Sequence, residues 1–304
     1  MNWSETPWTE LPARLAQVHG AALLPVGATE QHGPHLGCGV DAVLADELCR
    51  AVAKRTGVPM LPALPYGVSG GHSRRWPGTI AVQPVTMIEL VQQIGTWAYH
   101  SGVRRLFIVN THVTNAAALR CALEMLRAEH DDLMVALIDS AAISARVREF
   151  HSADAADWHA NDAETSLLLA VAPRLVHAAA LAHADDPDRT RGHVFAHPVN
   201  RTSMNGVTGT PSAASAAKGR KWFAWMVADL SATIRRGLRE TPPLPHGYDE
   251  SAVASAAAAP RSTLSRPLQP TTRPQPTTRP QPTTRPQPTT HPRPTIRPRP
   301  KRRP

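Results

Sequence analysis

The sequence predicts an α/β fold whose sheet is mostly parallel and is covered by helices on both faces. Short apolar segments, such as Ala21–Val26 and Arg105–Asn110, alternate along the chain with longer segments that have helical spacing. In residues 41–55, for example, apolar side chains fall at positions 43, 44, 48 and 52. Strands that alternate with helices of this length are typical of a parallel sheet buried on both sides.

Each element is predicted from its local pattern. The short apolar runs predict strands at Ala21–Val26, 58–64, Arg105–Asn110 and 133–139. The helical spacing predicts helices at 41–55, 85–99, 116–130, Asp162–Val171 and 212–236. Pro84 suits the start of the second of these helices, because the first turn needs no N–H from that residue.

The positive charge of the chain is concentrated at its C-terminal end. The formal net charge is +9, but 11 of the 33 lysines and arginines lie in residues 261–304, and no acidic residue follows Glu250. Residues 1–260 therefore hold 22 basic against 24 acidic side chains, so the folded part carries no electrostatic indication of nucleic-acid binding. We expect one large folded domain at residues 1–241.

Residues 242–304 are predicted to be a disordered linker and a Pro/Thr/Arg-rich repeat tail. A six-residue unit begins at Thr271 and reads Thr-Thr-Arg-Pro-Gln-Pro in its first three copies. Proline removes backbone donors and favours an extended chain, and the repeats have almost nothing to bury. Docking of the tail to an aromatic groove or to RNA is the alternative interpretation, and the pattern identifies no partner.

Cysteine usage and hydropathy predict a cytoplasmic protein without membrane association. Cys38, Cys49 and Cys121 have no regular spacing, which favours a reducing compartment over a disulfide framework. The first ten residues lack the basic segment and apolar core of a signal peptide. No apolar run approaches the roughly 18 residues that a membrane span needs.

The most informative motif is the segment from Glu30 to Asp41, which follows the apolar run Ala21–Val26. It reads Glu-Gln-His-Gly-Pro-His-Leu-Gly-Cys-Gly-Val-Asp, so a Gly/Pro turn brings two carboxylates close to His32. Carboxylate oxygen and imidazole nitrogen suit zinc, manganese or iron, and strand exits in α/β sheets carry chemistry. The segment indicates a metal site, although a histidine beside a glutamate also occurs on ordinary surface loops. Cys38, inside this segment, is interpreted as a small loop filler rather than a ligand.

Four further segments carry polar or glycine-rich motifs at predicted strand exits or helix starts. They are residues 67–80 with His72, 110–115 with His112, 158–166 with His159 and Glu164, and the glycine loop 205–211. Taken in order with residues 30–41, these motifs resemble the creatininase (creatinine amidohydrolase) family over about residues 20–235. The family pattern is approximately Glu-Gln-His-Gly-Pro-His-Leu…Asp, Pro-Gly-Thr, Asn-Gly-His-Gly-Gly-Asn, His-Ala-Gly…Glu-Thr-Ser and Gly-Val-x-Gly-x-Pro.

The resemblance implies a three-layer αβα sandwich that assembles as a homo-oligomer, often a hexamer. It implies a hydrolase that uses two divalent metal ions (Zn, Mn or Fe) to activate water. The bond attacked would be the C–N bond of a small-molecule amide, cyclic amide or formamide, with a peptide as a further candidate substrate. The metal ligands that it implies are Glu30, His32, Asp41, His112 and Glu164.

The roles of these residues also follow from the resemblance. Glu30 and His112 would hold one ion. His32 and Glu164 would hold the second, and Asp41 would bridge both. His159 would pass a proton to the leaving nitrogen, and the predicted catalytic residues are His159 and Glu164. Outside this set, His35 and His72 are interpreted as hydrogen-bonding loop residues or as groups that orient the ligands. Trp158 is either a wall for a flat substrate ring or an ordinary packing aromatic.

The sequence departs from the family pattern at residues 110–115, which read Asn-Thr-His-Val-Thr-Asn. His112 is retained, but Thr111, Val113 and Thr114 replace three glycines, so we expect a narrower or differently shaped pocket. Creatininase itself has a metal-binding glutamate at the position of Thr114. Threonine cannot readily replace it, which weakens creatinine as the substrate and makes Glu164 the expected carboxylate of the second site.

A second hypothesis is that the chain is a catalytically weak scaffold that acts through its basic Pro-rich tail. The replaced glycines and the tail motivate it. The intact ligand set argues against it, since a degenerate enzyme tends to lose its ligands first.

Overall fold

The structure is a computed structural model that describes residues 2–72 and 74–243. The predicted repeat tail lies outside the described residues. The strands are β1 (Ala21–Val26), β2 (Arg105–Asn110) and β3 (Met134–Asp139). The helices are α1 (Leu11–Gln17), α2 (Val40–Thr56), α3 (Pro84–His100), α4 (Ala116–Glu129), α5 (Ala145–His151), α6 (Asp162–Val171), α7 (Ala178–Leu181), α8 (Val199–Thr202) and α9 (Ala216–Arg239).

The three strands form one parallel sheet in the order β1-β2-β3. Val26 is level with Asn110, and Asn110 is level with Asp139, so the three strands end at the same edge of the sheet. The side chain of Asn110 donates a hydrogen bond to Asp139 there at 2.8 Å. The loops that leave this edge after β1 and β2 carry the motifs singled out in the sequence.

The sheet separates two apolar cores, which makes the domain a three-layer αβα sandwich as expected. Leu23 and Val109 point into one core with residues of α2, α6 and α9, whereas Leu24 and Ile108 point into the other with residues of α3 and α4. Because successive side chains of a strand face opposite sides, a strand buried on both faces needs apolar residues at every position. This requirement explains the uninterrupted apolar runs of β1 and β2.

The strand predicted at residues 58–64 does not form as a continuous element. The segment runs beside β1 and makes isolated parallel bridges at Met60 and Leu64. Pro59, Pro62 and Pro65 interrupt it, and a proline cannot donate to a ladder. The segment therefore flanks β1 without completing a fourth strand.

The predicted helices form, with shifts at their ends. The last helix begins at Ala216 instead of 212, because Ser215 caps it by accepting a hydrogen bond from the N–H of Lys218. The short helices α1, α5, α7 and α8 were not predicted, since a run of four to seven residues shows little helical periodicity. Among residues 2–72 and 74–243, no helix is long and apolar enough to cross a membrane.

A close contact between β1 and α2 fixes the start of the helix that carries Asp41. A Cβ atom added at Gly27, directly after β1, would lie 2.6 Å from the Cα atom of Ala42. Glycine is therefore required for this approach. The Thr111 hydroxyl, directly after β2, donates a hydrogen bond to the carbonyl of Asp41 at 2.8 Å. These contacts hold the first turn of α2 against the ends of β1 and β2.

Candidate metal centre

The five predicted metal ligands converge at the C-terminal edge of the sheet. Two lie in the loop after β1, one in the first turn of α2, one directly after β2 and one in the first turn of α6. Each is at most 5% exposed. These residues are Glu30, His32, Asp41, His112 and Glu164.

The carboxylate of Asp41 lies between two imidazoles. Its Oδ1 atom is 3.6 Å from His32 Nε2, and its Oδ2 atom is 3.4 Å from His112 Nδ1. His32 Nε2 is also 3.6 Å from Glu164 Oε1. One carboxylate whose two oxygens face different imidazoles is the arrangement that can join two neighbouring metal sites.

Several buried polar atoms of this cluster have no hydrogen-bond partner among residues 2–72 and 74–243. They include Glu30 Oε2, His32 Nε2 and Asp41 Oδ2. A buried polar atom without a partner costs about 1–3 kcal/mol, so three in one cluster are unfavourable for the protein alone. A divalent cation would accept these lone pairs, and the mixture of nitrogen and oxygen donors fits zinc, manganese or iron.

Three groups of side chains bring ligand atoms within 4.8 Å of one another. They are Glu30 with His32 and Asp41, His32 with His159 and Glu164, and Glu30 with His72 and His159. Cys38 is half-buried and belongs to none of these groups. His112 also lies outside them, although its Nδ1 atom faces Asp41.

The surroundings of His112 determine which of its nitrogens faces the cluster. Its Nε2 atom is 3.2 Å from both the carbonyl oxygen of Val68 and the hydroxyl of Ser69, and it contacts the hydroxyl of Thr114. Thr114 itself donates to the Val68 carbonyl, so its oxygen accepts from the imidazole. A carbonyl can only accept, which assigns the proton to Nε2 and leaves Nδ1 to face Asp41. Thr114, which replaces a glycine of the family pattern, thus helps to orient His112.

The start of α6 fixes Glu164. Asn161 caps the helix by accepting a hydrogen bond from the N–H of Glu164 at 3.2 Å, and its amide donates to the carbonyl of His151 and to Asp154. Ala160 has a φ of 51°, in the left-handed region, and its N–H donates to Glu164 Oε2 at 2.6 Å. A non-glycine residue in this conformation is strained, and here it aims a backbone donor at the carboxylate.

The cluster opens into a cavity of about 230 Å³. All three residues that replace family glycines, Thr111, Val113 and Thr114, line it. Trp158 and His197 are also part of its wall. The three residues that were expected to change the shape of the pocket therefore line the cavity into which the metal cluster opens.

The sequence matches the family model described as Creatininase: Creatinine amidohydrolase over residues 4–234. The chain belongs to the creatininase family. It is 34% identical over 249 residues to a mycofactocin precursor peptide peptidase of Mycobacterium ulcerans, a match that covers 75% of this chain and 90% of the relative. It is 32% identical over 256 residues to the creatinine amidohydrolase of Pseudomonas putida, with 79% and 96% covered.

Solved creatininase structures share the fold. A mutant creatininase of the Zn–Zn type superposes with a TM-score of 0.70 at 28% sequence identity, over 79% of this chain and 98% of that chain. The sequence, the family match and the superposition therefore agree that this chain is a creatininase-family hydrolase with the creatininase fold.

The charges in this creatininase-family cluster depend strongly on one another. Burial and the Asp41 carboxylate raise the pKa of Glu30 to about 8. Burial opposes ionisation of Asp41 as well, but His32 and His112 hold the pKa of Asp41 well below its usual range. Burial disfavours a charged His112, but hydrogen bonding to Asp41 and the charge of Glu30 raise its pKa to about 9. Without a cation, the cluster therefore holds protons on His32, His112 and Glu30.

His159 differs from His32 and His112 because it stays neutral. Burial and the neighbouring His32 lower the pKa of His159 to about 4. Its Nε2–H donates to the carbonyl of Gln31 at 2.8 Å. Its Nδ1 atom lies 3.7 Å from Glu30 Oε1, so the nitrogen without a proton faces the cluster.

Two further histidines of the family motifs have different surroundings. His35 bonds Thr165 through its Nε2 atom at 2.8 Å and lies outside the three ligand groups, as expected for a hydrogen-bonding loop residue. His72 was interpreted as a loop residue or as a group that orients a ligand, and its Nε2 atom lies 3.3 Å from Glu30 Oε2. The only sequence signal for this position was the Gly70-Gly71 pair, which permits a tight turn but does not specify what the turn contacts.

Proposed function

We propose that the chain is a metal-dependent amidohydrolase that hydrolyses a C–N bond with the help of two divalent ions, zinc, manganese or iron. The observation that carries the proposal is the convergence of Glu30 Oε2, His32 Nε2 and Asp41 Oδ2, which are buried and without hydrogen-bond partners in the described part of the chain. Polar atoms arranged in this way fit a cation better than any protein donor nearby.

The residues that would hold the ions are the five predicted from the family motifs. Asp41 would join the two sites, because each of its oxygens faces a different imidazole. Glu30 and His112 would complete one site and His32 and Glu164 the other. Glu164 would take the place of the carboxylate that is missing at Thr114, a choice supported by its distance of 3.6 Å from His32.

When bound, such ions acidify a water molecule and polarise a carbonyl group. The protein's part is to position the substrate and to move protons. His159 is neutral and directs its free Nδ1 toward the cluster, so it can take up a proton there and deliver it to the leaving nitrogen. The hydrogen bond to Gln31 fixes the ring in this orientation.

The proposed substrate class is a small amide, cyclic amide or formamide, or the end of a peptide. A cavity of about 230 Å³ suits a group of this size. The named activities of the relatives, on creatinine and on a precursor peptide, lie within the same class. We further propose a homo-oligomer in the cytoplasm, with the folded domain at residues 1–241. The family resemblance supports the assembly, and the free cysteines of the described residues favour a reducing compartment.

The test is the metal content per chain, measured by plasma mass spectrometry on wild type and on His112→Ala. We expect close to two transition-metal ions per wild-type chain and a clear loss in the variant. His100→Ala, which removes an exposed imidazole from the end of α3, is the matched control and should keep both ions. A wild-type chain that holds no metal, and gains none from added zinc or manganese, contradicts the proposal.

A further inference from the structure

His72 lies beside Glu30, which fits its expected role of orienting a ligand and also allows a direct role. It ends the short turn Gly70–His72, whose backbone is closed by a hydrogen bond from the His72 N–H to the Ser69 carbonyl at 3.0 Å. The turn folds over the loop after β1, and the His72 side chain is only 8% exposed. The fold therefore determines which groups the His72 imidazole contacts.

Three contacts of the His72 ring are with the metal cluster. Its Nε2 atom lies 3.3 Å from Glu30 Oε2, its ring centroid is 4.4 Å from that of His159, and 5.7 Å from that of His112. Within the described residues, both His72 Nδ1 and Glu30 Oε2 are buried without a hydrogen-bond partner. A cation bound to Glu30 would satisfy its Oε2 atom, which burial otherwise leaves unpaired at a cost in free energy.

The donor set around Glu30 is complete for a metal site when His72 is included. The ligand atoms of Glu30, His72 and His159 lie within 4.8 Å of one another. Two imidazoles and one glutamate are the protein ligands of one type of catalytic zinc site. Glu30, His72 and His112 would supply that set, which leaves His159 free to move protons.

The position of His112 explains why another imidazole is needed beside Glu30. The Nε2 atom of His112 lies close to three oxygens, of Val68, Ser69 and Thr114, and its single proton points toward them. Its free nitrogen faces Asp41. The nitrogen of His112 nearest to Glu30 is therefore occupied, whereas His72 directs Nε2 at the same carboxylate.

We propose that His72 is a metal ligand in this chain and that it completes, with Glu30 and His112, one of the two sites. The inference rests on the proposed function, since it concerns the same pair of ions. It adds a sixth protein ligand to the five that the family motifs identify.

The experiment is a cobalt titration of the full chain after removal of its metals, followed by visible absorption. We expect wild type to bind two cobalt ions, and His72→Gln to lose roughly 100-fold or more in affinity for one of them, with a changed spectrum. His100→Gln is the matched control, because it makes the same chemical change at an exposed histidine at the end of α3, outside the cavity. It should bind both ions as wild type does.

The outcomes separate this inference from the proposed function. If wild type and His72→Gln bind two cobalt ions with equal affinity and the same spectrum, His72 is not a ligand and the inference fails, while the dinuclear hydrolase stands. If wild type binds no cobalt, the proposed function itself fails. Should His72→Gln fail to fold, a crystal structure of zinc-loaded wild type decides. A zinc ion about 2.0–2.1 Å from His72 Nε2 supports the inference, and one beyond bonding distance overturns it.

Discussion

The side-chain oxygen of Asn161 accepts a hydrogen bond from the backbone N–H of Glu164, so the cap of α6 also positions a carboxylate of the metal cluster. The Asn161 amide is completely buried and donates to the carbonyl of His151 and to Asp154. One side chain thus links the end of α5 to the start of α6. The stability of this corner and the geometry of the cluster depend on the same residue.

Asn161→Ala should therefore reduce stability and metal affinity together. The substitution removes the cap and leaves several buried groups without partners, which should lower the free energy of unfolding by about 2–3 kcal/mol. Ser144→Ala, which removes the cap of α5 far from the cluster, is the control and should cost about 1 kcal/mol with unchanged metal binding. Denaturant unfolding and cobalt titration measure the two effects. Equal metal affinity in both variants would show that the cap does not position Glu164.

Asp41→Asn should remove both ions. The substitution keeps the shape of the side chain but removes the charge that faces His32 and His112. Metal affinity and turnover of any amide that wild type hydrolyses should fall by at least about 100-fold. Asp46→Asn makes the same chemical change farther along α2, where Asp46 pairs with Arg50 at the surface, and should have no effect on either. Full activity in Asp41→Asn would refute the dinuclear scheme.

Thr114→Val tests whether the residue that replaces a family glycine orients His112. Valine has the shape of threonine but lacks the hydroxyl that accepts from His112 Nε2. We expect the metal affinity to fall by about 10–100-fold, as is usual when a hydrogen bond to a ligand imidazole is removed. Thr96→Val, which removes a hydroxyl bonded to Glu129 and His130 at the surface, should leave the affinity unchanged. An unaltered affinity in Thr114→Val would assign the orientation of His112 to Val68 and Ser69 alone.

His151 should make the metal-free protein less stable in mild acid. The side chain is buried, it donates from Nδ1 to the Val147 carbonyl, and burial lowers its pKa to about 4 from an ordinary value of 6.5. Between these values the unfolded chain binds a proton that the folded chain does not, so the free energy of unfolding falls as the pH drops. The His151 contribution is fully retained above about pH 6.5 and is lost by about pH 4, where the folded form also takes up the proton.

The measurement is chemical denaturation of the chelator-treated protein across this pH range. Wild type should lose up to about 3 kcal/mol more than His151→Gln between pH 6.5 and 4. His100→Gln replaces an exposed histidine and should follow the wild-type curve. All three proteins have the same metal cluster, so the effect of its titration on the free energy of unfolding is the same in each and cancels in the comparison. Parallel curves for wild type and His151→Gln would assign the acid sensitivity to other groups.

Deleting residues 245–304 should leave metal content and turnover unchanged. The residues assigned to the site lie between Glu30 and Glu164, and the match to the family model ends at residue 234. The same deletion separates an enzyme from a scaffold that acts through its tail. A deleted chain that keeps its metals but loses a binding partner would support the scaffold hypothesis.

The strands of the sheet could be predicted from the sequence because each is a short apolar run. β1 and β2 form over the predicted residues, since burial on both faces requires an unbroken apolar run. The half-buried β3 starts one residue later than predicted. Residues 58–64 have a similar apolar content, but prolines prevent them from completing a strand. Whether such an apolar run forms a complete strand depends on which of its residues have a backbone N–H to donate. Hydropathy carries no information about that.

The residues of the candidate site were partly predictable for a related reason. Glu30, His32 and Asp41 lie in one segment at a strand exit, where the sequence itself brings them close. Their convergence with Glu164 is a tertiary contact, and the family motifs were needed to anticipate it. His72 was assigned a lesser role, because its approach to Glu30 depends on how a glycine turn folds over a loop some forty residues earlier.

The prolines beside β1 have a consequence for how this protein meets other molecules. A parallel sheet with an open side offers a row of backbone groups on which a strand from another chain can add, and this is a route to aggregation. Here the flanking segment lacks N–H groups at Pro59, Pro62 and Pro65, and its Met60 carbonyl is already taken by the N–H of Trp3. A foreign strand would find too few donors to pair with. The interrupted segment thus protects the sheet on that side against edge-to-edge self-association.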